Sequence, residues 1–280
     1  MVAVTSAPPV EAPRTPRSGA GLALVRRSWG RWVVLLVAGV YFLVPLYAAL
    51  RFAVQTPDGG TSLGVFSGIP KQQGFPDAFG LSINLAVVTT VITLVLMVPT
   101  AIYVHLRLPK VRRLFEGITI LPIVIPPVVL IVGVLQAAPG ALKGTPYLLA
   151  LEYAVLAMPF AYRSLDAGLQ ALNLKTLVEA SRSLGGGWLT TGFRVLLPNL
   201  RSSLLAATIL TVALVLGEYT MASLDQYETF PVWVVVFDQE NAHVSVAVSL
   251  LALVGTWLLL ILISLIDTRR GRRAPAPGES

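Results

Sequence analysis

Residues that could do chemistry are few in this chain, and they form no recognisable catalytic group. The sequence has no cysteine, which excludes disulfides, thiolate catalysis and cysteine-based metal sites. Its two histidines, His105 and His243, lie far apart, and neither a metal-binding constellation nor a catalytic triad is recognisable. No Gly-x-x-x-x-Gly-Lys-Ser/Thr segment is present, so no P-loop is available to bind ATP. We therefore expect a protein that is not an enzyme and that holds no cofactor and no metal.

Carboxylates associated with long apolar runs are the first functional candidates. Ionisable groups at membrane depth are costly, and they commonly mark function. Glu152 lies inside one apolar run, while Glu218 and Tyr219 lie at the end of another. We interpret all three as candidate pathway or outer-gate residues. The alternatives are contact with water at the outer rim for Glu152 and an ordinary acidic loop for Glu218. Further carboxylates follow Glu218 with no Lys or Arg among them: Asp225, Glu228, Asp238 and Glu240.

Prolines inside the apolar runs are the second set of candidates. Each proline removes a backbone hydrogen bond, and irregular backbone at membrane depth is tolerated where it packs in protein or lines a cavity. The pair Pro126 and Pro127 follows Pro122 within one run. This cluster predicts a gate or hinge, and a kinked packing helix is the alternative.

Transmembrane helices must position these residues. Hydrophobic residues make up 55% of the 280-residue chain and charged residues 12%, with a mean hydropathy of +0.76. A soluble domain carries about 25% charged residues, and a helix needs about 20 apolar residues to span a bilayer. The predicted fold class is an all-α polytopic membrane protein with six spans. They are Trp32–Leu50, Leu81–Val104, Ile118–Leu135, Tyr147–Ala161, Ser203–Leu216 with an optional extension to Leu224, and Val244–Ile266.

Basic residues predict the orientation of these spans. Lys and Arg concentrate in cytoplasmic loops. With both termini in the cytoplasm, all 21 Lys and Arg residues fall on the cytoplasmic side except Arg51, Lys71 and Lys143. The net charge of +7 is thus explained by a membrane, and we expect no nucleic acid partner.

The chain is expected to consist of one membrane domain between two tails. Residues 1–28 lack apolar periodicity and predict a disordered cytoplasmic tail. Residues 29–268 form the membrane domain, and residues 269–280 form a basic cytoplasmic tail. A signal peptide is the alternative for the N-terminus, but the first apolar run is long and starts late, which favours an uncleaved anchor.

The longest predicted cytoplasmic loop, residues 162–202, has a pattern of its own. Leucines recur at helical spacing up to Ala180, the glycines Gly185–Gly187 interrupt the pattern, and a second short apolar stretch ends before Pro198. The loop predicts two short helices joined by a tight turn. Their apolar face needs a protein partner or, alternatively, lies flat on lipid headgroups. A dinucleotide-binding loop does not fit, because no strand precedes the glycines.

This loop resembles the "EAA" signature of permease subunits of binding-protein-dependent ABC importers. The signature reads Glu-Ala-Ala, three residues, Gly, nine residues, Ile, any residue, Leu-Pro. The chain has Glu179-Ala180-Ser181, then Gly185, then Val195-Leu196-Leu197-Pro198. The spacing is kept, with Ser181 in place of Ala and Val195 in place of Ile. The resemblance covers about residues 30 to 270.

The resemblance implies a type I ABC importer permease fold and a coupling helix that docks on a cytoplasmic ATPase subunit. Gly185 would allow the sharp turn because glycine takes a positive φ freely. Trp188 and Phe193 would be apolar anchors, and Leu197-Pro198 would end the helix. The implied coupling residues are Glu179, Ala180, Ser181, Gly185, Gly186, Trp188, Phe193, Leu197 and Pro198.

The implied assembly lies in the bacterial plasma membrane. The chain would form half of a substrate pathway with a second permease subunit, identical or different. ATPase subunits would bind on the cytoplasmic side, and a substrate-binding protein would deliver the substrate outside. A six-helix secondary transporter or channel is the remote alternative. It would need charged pairs at the membrane midplane or broken helices, and it would leave the loop unexplained.

The substrate follows from a finer resemblance. The segments 217–224 and 229–233 are similar to those of polyamine-type permeases, and the acidic outer segment favours a cation such as spermidine or putrescine. The same wider group includes importers of ferric iron, thiamine, phosphonates and molybdate or sulfate, which are the alternatives.

Overall fold

The computed structural model of the chain describes residues 20–56 and 59–271, with side chains for residues 29–56, 59–258 and 261. The described part is helical almost throughout. Its helices are α1 (Ala20–Val54), α2 (Gly64–Gly68), α3 (Phe75–Arg107), α4 (Arg112–Val124), α5 (Pro127–Ala137), α6 (Pro146–Ala171), α7 (Leu174–Ser183), α8 (Trp188–Asn199), α9 (Arg201–Gly217), α10 (Thr220–Leu224), α11 (Phe230–Asp238) and α12 (Ala242–Gly271).

The chain divides into two compact units, residues 1–50 and residues 51–280. In the first unit, α1 carries Trp29 and the following apolar side chains exposed on every face. Such a helix is suited to contact with lipid. It begins at Ala20, so it includes residues 20–28 of the segment predicted as a tail. Residues 1–19 and 272–280 of the predicted tails lie outside the described residues.

The second unit is built around α3, α6 and α9, which pack on one another. One apolar cluster joins Met97 of α3, Leu165 of α6 and Leu196 of α8 near the predicted cytoplasmic side. A second cluster joins Leu85 of α3, Tyr153 of α6 and other side chains of α5, α9 and α10 towards the opposite side. Helix α6 is thus buried along its length, which explains why the span predicted as short, Tyr147–Ala161, continues to Ala171.

Helices α3 and α6, together with residues 29–54 of α1, are long and apolar enough to cross a membrane. Two bent pairs, α4 with α5 and α8 with α9, pass the same test only when each pair is taken as one span. The sixth predicted span lies in α12, whose stretch Ala242–Leu258 is a shorter apolar helix.

The third predicted span, Ile118–Leu135, is not one continuous helix. It breaks between α4 and α5 with a bend of 99°. Pro126 and Pro127 lack the N–H groups that would continue α4, and the residue before a proline is driven into extended backbone. Ile125 shows this, with φ −76° and ψ 127°. The break is sharper than a kinked packing helix.

The fifth predicted span, Ser203–Leu216, lies within α9, but its optional extension to Leu224 is not part of the same helix. Helix α9 ends at Gly217, and α10 starts anew at Thr220. The Glu218 carboxylate accepts hydrogen bonds from the backbone N–H of Met221 at 2.9 and 3.1 Å and of Ala222 at 3.3 Å. These bonds satisfy the free N–H groups of a new helix start, so the local sequence favours a second helix over continuation.

Candidate functional site

The 179–198 segment, defined as residues 179 to 198, folds as the end of α7, a turn and most of α8. Leucines 165 and 169 lie in α6, and Leu172 is extended with ψ 142°. The first of the two predicted loop helices is therefore shorter than expected, covering Leu174–Ser183. Asn173 stands at the break, and asparagine favours helix ends over helix interiors.

One face of helix α7 is buried against the protein, and the other face is exposed. Leu174 and Val178 are buried in the cluster that also contains Leu196 of α8, whereas Glu179 and Ala180 are exposed. The apolar face that the sequence predicted is thus covered by the chain itself. The carboxylate of Glu179 remains accessible from the outside of the unit.

The turn after α7 is a Schellman motif, in which two backbone bonds cap the helix. Gly186 N–H donates to the carbonyl of Ser181, and Gly185 N–H donates to the carbonyl of Arg182, both at 2.9 Å. Gly185 has φ +81°, as the sequence predicts, because this motif requires the left-handed region at that position.

The two other glycines of the turn differ from each other. A Cβ added at Gly186 would lie 2.6 Å from the Ser181 hydroxyl oxygen and 2.7 Å from the Ser181 carbonyl oxygen, so only glycine fits there. A Cβ at Gly187 would meet nothing within 4 Å. Close approach of the backbone therefore requires glycine at position 186 and not at position 187.

Helix α8 presents a strongly apolar face away from the cluster. The exposed fractions are 51% for Trp188, 76% for Leu189 and 67% for Phe193. Leu184 in the turn is 89% exposed and extends this face. Sequence reasoning missed Leu184 and Leu189. The sequence signal for Leu184 was its position as a large apolar residue directly before Gly185, the glycine with a positive φ.

The end of α8 corrects the role given to Leu197 and Pro198. The helix does not stop at Pro198 but continues to Asn199 and meets α9 at a 75° bend. Residues Thr191–Leu196 are wound as a π-helix. The Asn199 side chain donates a hydrogen bond to the Val195 carbonyl at 2.6 Å. The change of direction takes place at Leu200, which has φ −95° and ψ 7°.

An ionic cluster that the sequence did not reveal lies beside this segment. Asp166 of α6 faces Arg112 of α4, with Nε–Oδ1 2.8 Å and Nη2–Oδ2 3.1 Å. His105 of α3 places Nε2 3.1 Å from Asp166 Oδ1, and Gln170 donates to the same carboxylate. Three helices are thus tied together about one turn from the end of α6. The signal in the sequence was an isolated acid, Asp166, in a segment otherwise rich in Arg and Lys.

The predicted pathway residues on the opposite side lie in different settings. Glu152 is 2% exposed, and its oxygens have no hydrogen-bond donor among the described residues. Burial raises the pKa of Asp225, which follows α10, above its ordinary value. Glu218 caps α10 through its hydrogen bonds from Met221 and Ala222. Tyr219 is 40% exposed. The structure thus brings Glu152 and Glu218 into one region, as buried and capping groups.

The two prolines of the predicted gate occupy the α4–α5 break, and both are exposed. Beyond the break, α5 and the outer part of α6 line an open cavity of about 280 Å³. Its lining is apolar apart from Glu152, and it includes Leu130, Val134, Leu148 and Leu151. Pro126 and Pro127 do not line this cavity, so the predicted gate residues and Glu152 lie in separate places.

Comparisons with known proteins agree on the class of the chain. No protein-family model matches it. It is 26% identical over 265 residues to the molybdenum transport system permease protein ModB of Mycobacterium tuberculosis, covering 88% of this chain and 95% of the relative. It is 29% identical over 227 residues to a probable molybdenum ABC transporter permease protein of Haloferax volcanii, covering 75% of this chain and 81% of the relative.

The fold also has a counterpart among solved structures. One chain in the crystal structure of a bacterial ABC transporter involved in the import of the acidic polysaccharide alginate matches with a TM-score of 0.68 at 15% identity, covering 90% of this chain and 99% of that chain. This likeness concerns the fold alone. Neither comparison supports the expected polyamine-type group, because the sequence relatives carry molybdenum in their names. The chain is an all-α polytopic membrane protein with the fold of an ABC transporter, and its sequence relatives support its interpretation as an ABC importer permease.

Proposed function

We propose that the chain is the permease subunit of an ABC importer that carries molybdenum as the molybdate oxyanion. The importer role is supported by α8, whose exposed apolar face follows a Schellman turn at the EAA-like position. A surface of this kind is stable in water only when a partner covers it. An ABC importer uses ATP, and this chain has no P-loop to bind it. The partner that covers this face is therefore a cytoplasmic ATPase subunit.

The substrate proposal rests on the named relatives. The acidic outer segment was the physical reason to expect a cation. The Glu218 carboxylate accepts hydrogen bonds from backbone N–H groups, and Glu152 is buried, but Glu228, Asp238 and Glu240 are exposed. The proposal of molybdate therefore follows the relatives and not the charge of this segment.

The remaining parts of the assembly follow from the importer class. A second permease subunit would complete the pathway, and a substrate-binding protein would deliver molybdate from outside. With the termini in the cytoplasm, α8 lies on the side where ATP is available. The α4–α5 break and the outer ends of α6 and α9 would then line or gate the outer half of the pathway.

Reconstitution tests this function. The chain would be placed in proteoliposomes with the ATPase and binding protein of the same organism, and uptake of labelled molybdate would be followed with and without internal ATP. We expect uptake that needs both ATP and the binding protein and that unlabelled putrescine does not inhibit. ATP-driven uptake of polyamine without uptake of molybdate would restore the original substrate expectation. Uptake that is indifferent to ATP would indicate a secondary transporter.

A further inference from the structure

One side-chain hydrogen bond crosses directly from α7 to α8. The Ser181 and Thr191 hydroxyl oxygens lie 2.8 Å apart, and Thr191 is 1% exposed. Among the described residues it is the one side-chain hydrogen bond that joins these two helices. It spans the glycine turn and lies on the buried side of α8, whereas Trp188 and Phe193 are exposed.

The other contacts between the two helices are less directional. The Schellman bonds end at Gly186, and the Gly187 carbonyl accepts from Thr191 N–H within α8, so neither bond fixes α8 against the body of α7. Val178 and Leu196 share an apolar cluster, and apolar contact has little directional preference. The Arg182 guanidinium lies 4.9 Å from the centre of the exposed Trp188 ring. A hydrogen bond weakens steeply when its distance or angle changes, so the hydroxyl pair adds a directional restraint on the buried side.

Ser181 stands where the EAA-like signature has alanine. An alanine has no oxygen for Thr191, whose hydroxyl would then be buried without this partner. The serine and the threonine therefore form a matched pair in this chain. Sequence comparison with the signature alone treats Ser181 as a conservative departure, whereas the structure gives it a partner ten residues away.

We propose that Ser181 and Thr191 are positioning residues that fix α8 against α7 and so set how much of the ATPase movement reaches the spans. This inference rests on the proposed importer function. Neither hydroxyl belongs to the exposed docking face, so the pair acts on transmission and not on ATPase binding. A loose joint between the helices would let α8 follow the ATPase without moving α7 and α6.

The experiment measures substrate imported per ATP hydrolysed in proteoliposomes that contain the complete complex. The variants are Ser181→Ala, Thr191→Val and both together. We expect each single variant to lower the ratio about threefold or more and the double variant to be no worse than either, since residues in contact do not act additively. Co-purification with the ATPase should remain at the wild-type level.

Two controls separate the hydroxyl pair from general damage to the loop. Thr191→Ser keeps the hydroxyl and should keep the wild-type ratio. Thr190→Val makes the same change at the neighbouring position, which is exposed, and should have no effect. Additive losses in the double variant, or single variants with unchanged ratios, would overturn the proposal.

Because the chain has no cysteine, a covalent replacement of the bond is available. Ser181→Cys combined with Thr191→Cys should couple poorly when reduced and recover when oxidised, since the disulfide restores the restraint. An oxidised form that stays uncoupled would contradict the inference even if Thr191→Val fails to assemble. If the wild-type complex neither binds the ATPase nor transports, the proposed function fails instead. If the wild type binds the ATPase and transports while the variants keep the wild-type ratio, only the positioning role is contradicted.

Discussion

Arg112 and Asp166 form an ion pair, with Nε–Oδ1 2.8 Å, across 54 positions of sequence. Their side chains are 32% and 11% exposed, so the pair is largely shielded from water. It joins the start of α4 to the inner end of α6, from which the chain continues directly into α7. The pair therefore links the broken third span to the segment that carries the proposed docking face.

Removing one member of this pair should destabilise the protein. Arg112→Gln leaves the Asp166 carboxylate without its main charge partner, and we expect a loss of about 1 to 3 kcal/mol. Thermal unfolding of the detergent-solubilised chain measures it. Arg113→Gln is the matched control, because Arg113 is the exposed neighbour and should change little. Equal melting temperatures for both variants would show that the ion pair adds nothing to stability.

The three glycines of the turn should differ in their tolerance to alanine. Gly186→Ala should be most harmful, since its Cβ would lie 2.7 Å from the Ser181 carbonyl oxygen. Gly185→Ala should cost about 1 to 2 kcal/mol for the left-handed conformation. Gly187→Ala should be neutral, because no atom lies within 4 Å. Melting temperature and ATP-coupled uptake are the measurements. Any other order of the three would contradict the observed turn.

The exposed face of α8 should contain the residues that dominate ATPase binding. Trp188→Ala or Phe193→Ala should cost about 2 kcal/mol or more if these side chains fill pockets of the partner, which weakens binding about 30-fold. Binding of purified ATPase to the chain in nanodiscs measures this. Leu63→Ala is the control, since Leu63 is also strongly exposed, at 73%, but lies outside the loop. Unchanged affinity in both α8 variants would favour the lipid-surface alternative for this face.

Single cysteines should report the predicted orientation. Ser67 and Gln226 are exposed in segments predicted to lie outside, so cysteines there should react with an impermeant maleimide on intact cells. Lys110 and Thr190, also exposed, should react only after the membrane is opened. Labelling of Thr190→Cys in intact cells would exclude a cytoplasmic α8, and with it ATPase coupling.

Variants of Glu218 distinguish a capping role of its carboxylate from the attraction of a cation. Glu218→Gln keeps an oxygen that accepts from the Met221 N–H, so stability and uptake should stay close to wild type. Glu218→Ala removes the cap and should cost about 1 kcal/mol. Unfolding and uptake are compared with the exposed control Glu228→Ala. If Gln impaired uptake as strongly as Ala, the negative charge itself would be required, and a cationic substrate would regain support.

The sequence predicted the features that follow from the properties of neighbouring residues in the chain. The spans follow from mean hydropathy, and α3 and α6 are apolar helices long enough to cross a membrane where the runs predict them. Gly185 follows from spacing, because a helix that ends between two apolar stretches needs a residue free to take a positive φ. These features hold because the energies involved, burial of apolar surface and backbone strain, act within a few residues.

Sequence reasoning left the outcome open where two local interpretations were of similar strength. Pro126 and Pro127 predicted an irregularity, but only the structure gives it the form of a 99° break. Pro198 was expected to end α8, yet the helix runs on to Asn199 and bends after it. The acidic outer segment suggested attraction of a cation, because sequence does not tell whether a carboxylate faces a pathway, a helix end or another carboxyl group.

The sequence by itself determined an all-α membrane chain with a structured loop between two spans, because hydropathy and turn chemistry are properties of contiguous residues. Tertiary structure alone decided the partners: Asp166 with Arg112 and His105, and Ser181 with Thr191. The physical reason is that hydrogen bonds and ion pairs depend on distances of about 3 Å between groups. Packing of α3 and α4 against α6 fixes those distances for Asp166 and its partners, and a three-glycine turn brings together the pair in the loop.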